Sequence, residues 1–131
     1  MKLGLIVGSL ALLAAAPAAA ESFDMVCQAH VVNHDVQANT DLELGDETIR
    51  YRLDLVSMRY CDDECENQHP FKATADDYVF ADTDTQADTF VQKINRQTGA
   101  LTYKDKLDDG SVTLKSGPCQ KEAFSGFPKA G

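Results

Sequence analysis

Ile49-Arg50-Tyr51-Arg52-Leu53-Asp54-Leu55 alternates an apolar with a charged side chain at every step. Successive side chains of a strand point to opposite faces, so this stretch reads as a half-buried strand with an apolar face toward a core and a charged face toward water. The same period of two runs outward from it. Phe23, Met25 and Cys27 alternate with Asp24, Val26 and Gln28 in a first strand, and Leu42 and Leu44 mark a short strand ahead of a turn at Gly45-Asp46. Beyond Leu55 the apolar residues change parity to Val56, Met58 and Tyr60, which places a turn or bulge near Ser57. Helical periodicity is nearly absent.

Turn chemistry punctuates the rest of the chain. Asp76-Asp77 precedes the β-rich triplet Tyr78-Val79-Phe80, and the polar run 82–88 reads as a loop. Arg96-Gln97-Thr98-Gly99 separates two strand-like segments, with Gly99 in the left-handed turn position. Asp108-Asp109-Gly110 marks a second hairpin that leads into Val112-Thr113-Leu114. Only 85–90 and 120–125 have room for a helical turn. Short strands at such spacing predict an all-β fold, a small antiparallel β-barrel or sandwich. Its expected core is Tyr51, Leu53, Leu55, Phe80, Ile94, Leu101, Tyr103 and Leu114.

Residues 1–20 have the layout of a secretory signal peptide: Lys2, an uncharged and mostly apolar run over 3–16, and the small residues Ala18-Ala19-Ala20 before Glu21. Residues 21–131 are then one β domain, periplasmic or secreted, with no later apolar run of membrane-spanning length. Of 12 basic residues the leader takes Lys2, leaving 11 against 21 acidic ones. Such a surface disfavours nucleic acid and anionic headgroups, which are bound through basic patches. It suits a cation or a basic protein as partner, or serves solubility in a monomer.

Cys27, Cys61, Cys65 and Cys119 are an even set in an exported chain, which favours disulfides, and three connectivities are open. The Cys61-Asp-Asp-Glu-Cys65 spacing suits a local bridge, which leaves Cys27 to pair with Cys119. The long loop contributes roughly 4 to 5 kcal/mol by chain entropy and the short one about 2.

The N-terminal Phe-x-x-x-Cys at 23–27, Tyr-Arg-Leu-Asp-Leu at 51–55, Arg-Tyr-Cys-Asp-Asp-Glu-Cys at 59–65, Ile-Asn-Arg-Gln-Thr-Gly at 94–99 and the Gly-Pro-Cys-Gln-Lys-Glu-Ala-Phe-Ser-Gly-Phe-Pro ending at 117–128 together resemble a group of small exported, disulfide-bonded bacterial proteins of unknown function. The resemblance covers most of the chain after the leader. It implies a periplasmic location and β architecture, and it carries no catalytic residue with it.

Asp62, Asp63, Glu64 and Glu66 surround Cys61 and Cys65, with His69 just beyond. A disulfide-closed loop of carboxylates could face a calcium ion or a basic partner, although it lacks the Asp-x-Asp-x-Asp-Gly spacing of a calcium loop. The run Asp82-Thr-Asp84-Thr-Gln-Ala-Asp88 lacks it too. Zinc on Cys61, Cys65 and His69 would need thiolates, which an oxidising compartment removes. His30, His34 and His69 are candidate bases and Ser57, Ser111, Ser116 and Ser125 candidate nucleophiles, but no Gly-x-Ser-x-Gly elbow brings one to another. His30 and His34 flank Asn33 in what reads as a loop. The reading that follows is a non-enzymatic binding or interaction module that uses acidic loops and needs no cofactor. The alternatives are a small periplasmic hydrolase, a cation-binding protein, and a barrel for a small apolar ligand.

Overall fold

A computed structural model describes residues 21–128, so the leader read at 1–20 lies outside the described residues. Nine strands follow in order: β1 (Ser22–Asp35), β2 (Thr40–Asp54), β3 (Arg59–Cys61), β4 (His69–Pro70), β5 (Lys72–Ala73), β6 (Asp77–Asp84), β7 (Thr89–Asn95), β8 (Ala100–Lys106) and β9 (Val112–Ala123). All pair antiparallel in one sheet of order β4-β3-β2-β1-β9-β8-β7-β6-β5. Its two ends are consecutive in the chain, joined at Phe71, whose N–H donates to the Met58 carbonyl at 3.2 Å. The sheet therefore curls into a nearly closed barrel, the all-β class that the alternating pattern predicts.

The alternation at 49–55 does what it promises. Ile49, Tyr51 and Leu53 are buried inside the barrel, facing Cys27, Met25 and Phe23 across the β1–β2 ladder. An aromatic cluster fills the closed end: the rings of Tyr51 and Phe80 stack at 4.6 Å, Tyr60 lies 4.6 Å from Phe80, and Phe71 meets Tyr60 edge-on. Phe80, Ile94 and Leu101 are buried with them as expected, and Leu55 packs against the cluster from its margin. Burying such side chains is worth about 1.5–3 kcal/mol each.

Both disulfides take the expected pairing. Cys27–Cys119 joins directly opposed residues of the first and last strands, and Cys61–Cys65 closes the local loop. Beside the long bridge the two backbones come very close: a Cβ placed on Gly117 would stand 1.9 Å from the Gln28 carbonyl oxygen. Only glycine fits there. Gly99, at φ +76°, closes the 96–99 turn as read, and its carbonyl accepts from the Cys119 N–H at 2.8 Å. Two disulfides in one small domain indicate an oxidising compartment outside the cytoplasm.

Six expectations need correction. Gly45-Asp46 is not a turn: β2 runs through it, and the register slips so that Val31 faces Gly45 while Val32 faces Glu43, leaving Leu44 as the extra residue of a bulge. His30 and His34 are not in a loop but in β1. The 82–88 loop is shorter than read, since β6 continues to Asp84. Neither 85–90 nor 120–125 is helical, because Phe90 belongs to β7 and 120–123 to β9. Leu114 is not core. It lies opposite Val32 on the outer face at 37% exposure, and its neighbour Lys115 points inward. Tyr103, also expected in the core, is half-buried at the barrel mouth.

Candidate functional site

The loop 61–66 is built by its own disulfide. Cys61, the last residue of β3, and Cys65, at a positive φ of 54°, are both buried, which turns Asp62, Asp63, Glu64 and Glu66 to solvent. With Asn67 and His69 they line an open, polar depression. His69 belongs to β4 and packs its ring against Tyr60 at 5.8 Å. The five candidate residues are thus brought together, but one has a structural duty. Asp63 Oδ1 accepts the Arg50 backbone N–H at 2.8 Å, capping the edge of β2 just beyond the residues that β3 covers.

Asp62 and Asp63 also border the mouth of the barrel, a pocket of about 150 Å³. Its floor is plugged by polar pairs. Gln92 Nε2 donates to the Tyr51 hydroxyl at 2.5 Å, and Lys115 donates to Glu47 at 2.8 Å while its Nζ sits 4.7 Å over the Tyr103 ring. Burial pushes the Tyr51 phenol well above its ordinary range and raises Tyr60 as well, with the Asp62 carboxylate adding to the rise at Tyr60. Both phenols therefore stay protonated at neutral pH.

A second polar constellation, absent from the sequence reading, lies on the outer face of the β1–β2 hairpin. His30 is held between two carboxylates, Nδ1 3.0 Å from Asp46 Oδ1 and Nε2 2.5 Å from Glu43 Oε2, and His34 Nδ1 lies 2.6 Å from Asp41 Oδ1. The hydrogen bond with Asp46, followed by that with Glu43, raises the His30 pKa. The one available signal is that β1 carries two His an even number of residues apart, at 30 and 34, while 41–47 is rich in acids. A third charged group pins the tail: Asp24, fully buried on the outer side of β1, pairs with Arg50 at 2.5 Å and accepts the Ser125 N–H at 3.2 Å. Among the described residues, no group of three or more His, Cys, Asp or Glu side chains is placed to hold a metal ion. Among them, too, no helix is long and apolar enough to cross a membrane. Comparison with protein-family models, with curated proteins and with solved structures found no match.

Proposed function

We propose that this chain is an exported, non-enzymatic binding module, periplasmic or secreted, that engages a basic protein through the acidic loop 61–66 at the rim of its barrel. The observation that carries the reading is the Cys61–Cys65 disulfide, which holds Asp62, Glu64 and Glu66 exposed and ordered before any partner arrives. Pre-ordered groups lose less freedom on binding, and a strong negative field speeds encounter with a cation. The filled interior supports a surface binder over an apolar-ligand barrel, since a mouth of about 150 Å³ is well below the roughly 300–1,000 Å³ of small-molecule sites.

The test is a pull-down from the exported fraction with wild type and with Asp62→Asn/Glu64→Gln/Glu66→Gln, keeping Asp63 because it caps β2. Capture should fall in the variant, and fall for wild type as the Debye length shrinks from about 30 Å at 0.01 M salt to about 8 Å at physiological ionic strength. Equal capture by both proteins at both salts overturns the reading. Calcium titration of both proteins tests the ion as partner: saturable binding by wild type alone would replace the basic protein with a cation.

A further inference from the structure

We propose that the open edge of β2, residues 40–48, is a docking strand for an extended segment of another protein in which basic and apolar residues alternate. This rests on the cationic partner inferred above and adds a separate surface and a binding geometry. Among the described residues, β2 is covered on its outer side by β3 only at Arg52, Leu53 and Asp54, and the Arg50 N–H is capped by Asp63. Since the Arg50 amide points away from β1, that of Thr48, two residues on, does so too. The remaining run presents roughly 30 Å of strand edge. Proteins blunt such edges because unpaired N–H and C=O groups recruit other strands. Here the capping of backbone donors stops at Asp63, and beyond it the edge carries only the Leu44 bulge and its acidic side chains.

The two faces of the edge define the occupant. Asp41, Glu43 and Asp46 lie on the outer face, where their contacts with His34 and His30 place them, and each gives one carboxylate oxygen to an imidazole. The other oxygens are left to accept from the Lys or Arg of an added strand. Leu42, between Asp41 and Glu43, projects to the opposite face at 62% exposure, and Leu44, the extra residue of the bulge, is 54% exposed. A strand added along 40–48 therefore meets carboxylates on the outer face and Leu42 on the opposite one, with Leu44 exposed at the bulge between them. That is the main-chain pairing with alternate-side-chain selection of β-augmentation. A second copy is a poor occupant, because self-pairing would bring Asp41, Glu43, Asp46 and Glu47 of one copy beside the same acidic run of the other, and like charges across a ladder are destabilising.

The probe is a synthetic peptide of about ten residues alternating lysine and valine, long enough to cover the edge. Its controls are a peptide of the same composition in two blocks and the alternating peptide N-methylated on every second amide. Binding is read at physiological ionic strength by amide NMR shifts and hydrogen exchange, with sedimentation for the mass. The alternating peptide should protect the Asp46 and Thr48 amides; the N-methylated peptide, stripped of two or more ladder hydrogen bonds, should lose more than about tenfold in affinity, and the block peptide and the Leu42→Lys/Leu44→Lys variant, which lose the match of charged and apolar side chains, should bind several-fold more weakly. The variant's unbound amide spectrum shows that it is folded. Equal binding of all three peptides, or shifts confined to 61–69, overturns the docking strand and leaves the acidic-loop reading standing. Retained protection of Thr48 in the Asp62→Asn/Glu64→Gln/Glu66→Gln protein supports the edge while separating it from that loop. Absence of binding, or a concentration-dependent dimer protected at 40–48, overturns the proposal.

Discussion

The two halves of β2 share one strand and differ in almost every physical respect. From Ile49 to Leu53 its inward residues are buried, paired with β1 on one side and overlapped at the end by β3 on the other. From Thr40 to Thr48 every residue is exposed, and among the described residues β1 is the only strand beside it. The first of these halves is held by apolar burial and aromatic packing, the second by a single ladder and by surface imidazole–carboxylate contacts worth little in water. A strand that continues well past its core has its local order set by its one neighbour, and its free side is available to something else.

Four measurements can break or sharpen this contrast. Leu53→Ala removes a fully buried side chain and should cost about 2–5 kcal/mol by denaturant unfolding, whereas Leu42→Ala should stay within about 0.5 kcal/mol. Equal costs would erase the division. Gly117→Ala should cost about 1–3 kcal/mol, the usual penalty of overpacking, because its Cβ collides with the Gln28 backbone. Wild-type stability in that variant would mean that β1 and β9 can separate there.

The third measurement is native-state hydrogen exchange, in which the Thr48 amide should exchange much faster than its neighbour Ile49, whose N–H faces β1. Similar protection for both would show the edge to be covered. The smallest effect concerns His30. Its pKa is raised on folding, so the stabilisation it gives the hairpin is complete below about pH 6.5, the unfolded value, and is lost as pH rises through the higher folded value. NMR titration of the His30 ring should give the raised pKa directly, and the contacts at 41–46 should loosen above it. An unshifted ring, or the same loosening in His30→Gln, would detach the hairpin from that histidine.

The core half was legible because its information is local. Alternation at 49–55 and the Arg96-Gln97-Thr98-Gly99 turn each state their structure within a few residues. The other half depends on partners distant in sequence. Gly45-Asp46 has the composition of a turn, and only the register against Val31 and Val32 makes it a bulge. His30 and His34 look like loop residues until carboxylates 7 to 16 positions away meet them across the ladder. Leu114 and Lys115 exchange their expected sides because Glu47 and the Tyr103 ring supply an inward partner for the ammonium. At the candidate site, the sequence places the carboxylates around Cys61 and Cys65 but cannot separate Asp63, which caps a strand, from its exposed neighbours.

The Cys27–Cys119 bond spans 92 positions, so in topological terms the domain is a ring of chain carrying two short tails. A ring survives one scission. A protease that cuts the exposed turn between β1 and β2 adds a water to the mass but releases no fragment until a reductant arrives, and within the ring two cuts are needed to free a piece. Outside the cytoplasm, where proteases are met and thiols are scarce, the bond that fastens the first strand to the last therefore also lets a nicked molecule persist as one particle.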